Sequence, residues 1–269
     1  DERIESEMKF DNLNVEARDH VLFMGLNRPA KYNAFDLDLY RSLSLAYGEL
    51  ERDRDLRCGV LFAHGDHFTG GIDLPQWAPR FAEGKFIEPA EGGLDPLALD
   101  ENRTVSKPIV VAVQGWCLTI GLELLLATDI RIAADNTRFA QIEPKRGIYA
   151  IGGATVRLQQ EIGWGNAMRY LLTSDEFSAN EALRLGLVQE VVPVGAQLPR
   201  ATAIAMTIAQ QAPLAVQATL RSARIARSHG APAAIGQLAP DLVPLINSED
   251  AKEGIASFIE RRTGRFIGK

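Results

Sequence analysis

The sequence of 269 residues is poor in the side chains from which several kinds of site are built. Two cysteines, Cys58 and Cys117, are too few for a disulfide framework or a four-thiolate zinc site, and both are expected to be reduced and buried. Among four histidines, His64 and His67 form the only close pair. Without a third ligand in sequence they read as a surface turn, so no metal site is expected. Positive charge is scarce as well: 29 Lys and Arg against 35 Asp and Glu leave a net charge of −6. A nucleic-acid surface needs clustered Lys and Arg, so that class is disfavoured, although a local basic pocket for a phosphate-bearing ligand stays compatible. The longest apolar run, residues 109–127, carries Gln114 and Glu123 and is broken by glycines. It reads as a buried strand and helix, not a membrane span. Residues 1–7 are charged without an apolar centre, so no secretory leader is read there. Met8 opens a stretch that reads as a start, making 1–7 an alternative start or an extension. The sequon Asn102-Arg103-Thr104 therefore carries no weight, and a cytoplasmic location is expected. A Gly-x-Ser-x-Gly elbow and a P-loop are both missing, and Gly163-Trp164-Gly165 lacks the third glycine and preceding strand of a dinucleotide fingerprint.

What is present is an ordinary globular chain, 46% hydrophobic and 24% charged, without solenoid repeats. Residues 8–27 read as short strand pieces, and Asp36 to Leu50 has amphipathic helical spacing with Asp36 as cap. Apolar runs at Cys58–Ala63, Ile109–Val113 and Asp129–Ala134 read as buried strands. Segment 75–104 holds four prolines and three glycines among Trp77, Phe81 and Phe86, and is expected to be a lid or mobile loop. Beyond Gly152 the pattern is helical: 154–162, 165–173, and 178–185 with a Ser178-x-x-Glu181 capping box, then a short strand at 188–194. Helices follow at 200–226 and 249–262, with a Pro/Gly-rich hinge at 230–240. The expected division is a core over 1–199 and a helical region over 200–269.

The organising stretch runs from Gly115 to Ala127. Glu123 lies there among leucines near a helix start, and a buried ionised carboxylate costs several kcal/mol unless something compensates it. Strand, glycine loop and helix start occur twice, at 58–74 and at 109–126. Each repeat places a backbone N–H at a first helical turn. Ile72 N–H and Ile120 N–H can thus converge on one oxygen as an oxyanion hole, which is typically worth ~10²–10³ in rate per donor. Ordinary packing at strand–glycine–helix junctions is the plainer alternative. Cys117 reads as an inert buried thiol.

From residue 8 onward the chain resembles the crotonase (enoyl-CoA hydratase/isomerase) superfamily. The matching pieces are Leu26-Asn27-Arg28-Pro29 with Asn33-Ala34, Phe68 through Leu74, and Lys107 through Gly115. They continue with Gly121-Leu122-Glu123-Leu124, Asp129 through Ala133, Phe139-Ala140-Gln141-Ile142-Glu143, and Ala182 through Val188. The resemblance implies an α/β fold, a crotonase (ClpP-like) spiral of ββα units with a C-terminal helical trimerisation region, and a homotrimer or dimer of trimers. It implies an acyl-CoA substrate, no separate cofactor, Ile72 and Ile120 as the oxyanion donors, and Glu123 and Glu143 as the catalytic carboxylates. By analogy the substrate is held near Gly70, Gly71, Asp73 (which also caps its helix), Leu74, Thr119 and Tyr149, with Arg28, Ala30, Lys31, Phe266 and Lys269 toward the CoA end. The implied reaction is syn addition of water to a 2-enoyl-CoA. The alternatives are Δ3-Δ2 isomerisation, C–C cleavage, thioester hydrolysis, or acyl-CoA binding without catalysis.

The sequence departs from the family pattern at three places. Thr119-Ile120-Gly121 stands where relatives keep two or three glycines. Pro144 is expected to confine Glu143 to extended backbone. Ile148 through Gly153 replaces a common Pro-Gly pattern. Together with the long 75–104 segment, these point to a substrate other than a short straight-chain enoyl-CoA.

Overall fold

The computed structural model describes residues 10–269; the expectations for residues 1–7 lie outside them. Nine strands are assigned among the described residues: β1 (Leu13–Arg18), β2 (Val21–Leu26), β3 (Cys58–Ala63), β4 (Ile109–Val113), β5 (Trp116–Leu118), β6 (Ile130–Ala134), β7 (Arg138–Ala140), β8 (Phe177–Ser178) and β9 (Glu190–Val192). The main sheet has the order β1-β2-β3-β4-β6-β9, antiparallel only in the first hairpin and parallel from β2 onward. A smaller sheet has the order β5-β7-β8.

The ten α-helices among the described residues are α1 (Leu37–Arg52), α2 (Leu74–Ala82), α3 (Ile120–Ala127), α4 (Ala154–Ile162), α5 (Trp164–Thr173), α6 (Ala179–Leu185), α7 (Gln197–Ala209), α8 (Pro213–His229), α9 (Ala231–Ile246) and α10 (Glu249–Glu260). Parallel strands covered on both faces read as continuous apolar runs rather than alternations. That is why β2 and β4 are buried at every position. Alternate β2 residues serve different cores. Leu22, Met24 and Leu26 face the main cluster with α1 and α3, whereas Val21 and Phe23 pack with Val60, Val110, Ile132 and the alanines Ala201, Ala205 and Ala209 of α7. Helix α1 starts as expected, with the Asp36 carboxylate accepting from Leu39 N–H.

Four local expectations are corrected. The hinge at 230–240 is helical and belongs to α9: Gly230 (φ 86°) breaks the chain, Pro232 falls in the first turn where its missing N–H costs nothing, and Pro240 is carried inside the helix. Segment 75–104 contains α2, with Trp77 buried and its indole N–H donating to Phe35 O, so the lid is anchored at its start. The carboxylate of Asp73 makes no cap hydrogen bond to α2. Glu143 opens a 3-10 turn (Glu143–Arg146) rather than extended backbone, because the αL glycine Gly147 closes that turn onto it. Ser178 does cap α6 by accepting from Glu181 N–H, while the Glu181 carboxylate goes to Tyr170 and Arg184.

Candidate active site

Two arms of the fold build the site, and backbone bonds zip them together. Thr69 N–H donates to Trp116 O at 2.9 Å, and Leu118 N–H donates to Thr69 O at 3.1 Å. On the first arm, Phe35 N–H takes Gly71 O at 2.8 Å and Asp73 N–H takes Phe35 O at 2.7 Å. The amide between them, Ile72 N–H, makes no hydrogen bond among the described residues. On the second arm Ile120 is the first residue of α3, where helix geometry provides no acceptor for its N–H. Gly71 lets the arms touch: it has φ 118°, and a Cβ there would stand 2.6 Å from Thr119 Oγ1.

One turn into α3, the Glu123 side chain is 4% exposed. Its Oε1 accepts from Ala154 N–H at 3.2 Å. Gly152 is required here because a Cβ would come 2.3 Å from Glu123 Oε2. Burial pushes the Glu123 carboxyl up from 4.5 to about 8; the Ala154 amide opposes this and the charge of Glu143 adds to it. Arg157 moderates the shift, but its guanidinium donates to Leu97 O and Ala98 O rather than to Glu123. Glu143 has a buried Oε2 without a partner among the described residues, and burial raises its carboxyl from 4.5 to about 7.

Glu123, Glu143, Ile72 and Ile120 all border one cleft of about 510 Å³. Its wall includes Gly70, Ile72, Leu74, Thr119, Ile120, Glu123, Glu143 and Tyr149, all expected from sequence. It does not include Arg28, Ala30, Lys31, Asp73, Phe266 or Lys269, and Gly71 lies just behind it against Thr119. Arg28 is engaged inside the fold, paired with Asp36 at 2.9 Å and donating to Ala34 O. Ala30 and Lys31 are exposed on a short 3-10 turn. Phe266 and Lys269 are docked elsewhere: Phe266 O accepts from Arg57 at 2.8 Å, and Lys269 O accepts from Asp250 N–H at 3.0 Å.

Sequence reasoning missed the apolar wall formed by Ile142, Ile148, Ile151, Phe81, Phe86 and Ile87, together with Arg146. It also missed the Ala154 amide that holds Glu123 and the close approach of Gly152 to its carboxylate. The Gly152-Gly153 doublet ahead of α4 was the available signal for that contact. His67 stacks on Trp116 with centroids 4.4 Å apart, and its Nδ1 accepts from Trp116 N–H. Among the described residues no three His, Cys, Asp or Glu side chains cluster as metal ligands. Burial pushes the Cys58 thiol up to about 12 and the Cys117 thiol well above its ordinary value, so both are poor nucleophiles.

Only Ile120 sits in a first helical turn as expected from sequence, since α2 begins at Leu74 and leaves Ile72 on the loop before its N-cap Asp73. A spiral of parallel strands bringing these two residues, the buried Glu123 and the half-buried Glu143 to one cleft defines an α/β fold of the crotonase type, and comparison with known proteins agrees. A probable enoyl-CoA hydratase/isomerase from Mycobacterium abscessus superposes with a TM-score of 0.93 at 50% identity, over 97% of this chain and 100% of that one. EchA19, an enoyl-CoA hydratase of Mycobacterium tuberculosis, is 35% identical over 94% of this chain and 95% of its own length. A mitochondrial Delta(3,5)-Delta(2,4)-dienoyl-CoA isomerase of Dictyostelium discoideum is 29% identical over 96% of this chain and 91% of its own. The family model described as enoyl-CoA hydratase/isomerase matches residues 16–269. The chain belongs to that family.

Proposed function

We propose that this protein adds water across the double bond of a 2-enoyl-CoA thioester. The observation that carries the reading is the pair Glu123 and Glu143: a buried and a half-buried carboxyl on one cleft wall, both raised toward neutrality, beside two amides without partners among the described residues. Ile72 N–H and Ile120 N–H bind the thioester oxygen and stabilise the enolate that forms there, with the start of α3 adding its positive partial charge. The pair holds one proton between them near neutral pH. The shared proton rests more on Glu123 than on Glu143, and the reactive form is the minor one in which Glu143 carries it: the ionised Glu123 then takes a proton from water as its oxygen attacks the β-carbon, and Glu143 delivers its proton to the α-carbon. Atoms balance: the product gains one water, and the proton now on Glu123 returns to Glu143 through solvent. The chemistry asks for no cofactor beyond the CoA carried by the substrate.

The apolar, aromatic wall supports an acyl group bulkier than a short straight chain. The relative named as an isomerase supports double-bond migration as the second reading, since the same enolate and one carboxyl suffice for it. A panel of straight, branched, aromatic and cyclic enoyl-CoA thioesters followed by mass spectrometry separates the readings. Gain of water supports hydration, a shifted double bond at unchanged mass supports isomerisation, and free CoA supports hydrolysis. Binding without turnover across the panel would leave only an acyl-CoA-binding role.

A homotrimer or dimer of trimers is part of the proposal. Its support is the apolar surface of α9 and α10, where Ile235, Leu242, Val243, Phe258 and Ile259 are exposed. Light scattering that finds only monomer at micromolar concentration would contradict it. No helix among the described residues is long and apolar enough to cross a membrane, and we place the enzyme in the cytoplasm.

A further inference from the structure

Thr119, the residue before the Ile120 donor, has φ 49° and ψ −115°. A β-branched residue reaches such a conformation only at a cost of order 1–3 kcal/mol, so the surroundings must hold it there. Its N–H donates to Ala140 O at 2.9 Å, and its carbonyl accepts from Glu123 N–H at 3.1 Å, the first bond of α3. The carbonyl also accepts from Gln141 Nε2 at 3.2 Å. That third bond belongs to neither helix nor sheet. A side chain only 1% exposed is committed to one backbone oxygen.

The Thr119 carbonyl and the Ile120 N–H are the two ends of one planar peptide unit, so fixing the first aims the second. A hydrogen bond into the carbonyl also polarises the unit and strengthens its N–H as a donor. We propose that Gln141 is a positioning residue for the oxyanion hole: through the Thr119 carbonyl it holds the strained Thr119–Ile120 peptide with its N–H directed into the cleft. The amide cannot serve in the opposite orientation, since that would set Oε1 against the carbonyl oxygen. In the bonded orientation Oε1 is buried without a partner among the described residues, and this orientation is kept despite that cost. The clamp reaches the first arm as well. Thr119 Oγ1, also buried and unpartnered, lies against Gly71, the residue before the Ile72 donor.

The inference rests on Ile72 and Ile120 being the oxyanion donors, and the experiment separates the two claims. The intact protein and its Gln141→Leu variant are titrated with a 2-enoyl-CoA whose double bond is conjugated to an aryl ring. The absorption of this probe moves to longer wavelength as its carbonyl is polarised. Turnover of the best substrate from the thioester panel is measured beside it. The wild-type protein should shift the probe. The variant should bind it within about threefold of the wild-type Kd, shift it less, and lose about tenfold or more in kcat with KM little changed. A wild-type protein that binds the probe without a shift removes the oxyanion reading itself. A variant that keeps shift and kcat overturns the positioning role alone, and so does a fall in kcat with an undiminished shift, which is what a merely structural role would give. Gln141→Met, a flexible isostere without a donor, takes the place of Leu if the Leu variant fails to fold.

Discussion

Glu123 and Glu143 face the same cleft but are held in opposite ways. Glu123 comes from the buried helix α3 and is clamped between the Ala154 amide, which donates to it, and the Gly152 backbone, which leaves no room for a Cβ. Glu143 comes from a short 3-10 turn between β7 and α4, and its Oε2 has no partner among the described residues. Burial raises both, to about 8 and about 7. The clamped carboxyl suits a fixed acceptor that orients water, and the unclamped one suits a group that carries a proton to carbon. The contrast teaches that shared desolvation sets the proton affinity of both groups, whereas the local backbone sets what each is free to do.

Several substitutions can break or sharpen that contrast. The largest effect is expected for Glu143→Gln, which keeps shape and removes the proton carrier: kcat on the turned-over enoyl-CoA should fall about 10²–10⁴-fold, with saturated acyl-CoA binding kept. Glu123→Gln should lose comparable activity but also stability, because its amide N–H₂ meets backbone donors. Next, Gly152→Ala should push the Glu123 carboxylate aside and lower kcat about 10²-fold while leaving Glu143 in place. An unchanged rate would remove the clamp from the mechanism.

The smallest effect is on stability. Because burial raises both pKa values, the folded chain holds protons that the unfolded chain has released. Each contribution is whole below the ordinary 4.5 and is lost as pH climbs through about 7 for Glu143 and about 8 for Glu123. Glu143→Gln should therefore stabilise the protein by about 1–3 kcal/mol near pH ~9, and not near pH ~4, in denaturant unfolding. Equal stability at both pH values would contradict the raised carboxyl.

Much of this was legible in the sequence because it depends on local patterns. The strands at Cys58–Ala63 and Ile109–Val113 announce themselves as apolar runs, and the Asp36 cap is a nearest-neighbour matter. The two arms of the site were visible as a repeated strand–glycine–helix junction. Long-range contacts were not legible: that Gly152 approaches Glu123, or that Gln141 spends its amide on Thr119, depends on chain crossings that no spacing encodes. Proline misled at 230–240, where tertiary packing carries Pro240 within α9, and at Glu143, where the Gly147 turn overrides the preference for extended backbone before Pro144. The proposed CoA contacts at Arg28, Phe266 and Lys269 came from analogy, and their side chains or carbonyls are occupied within this chain.

The most direct test of the central claim is the pH profile of kcat/KM for hydration of an enoyl-CoA from the panel. If the two carboxyls share one proton, the profile is a narrow bell with its limbs near about 7 and about 8. Below the bell there is no base to take the proton of water, and above it no acid to supply the α-carbon. The bell should be lost in Glu143→Gln. A rate that levels off from the ordinary carboxylate range upward, or a bell that survives in Glu143→Gln, would contradict the account.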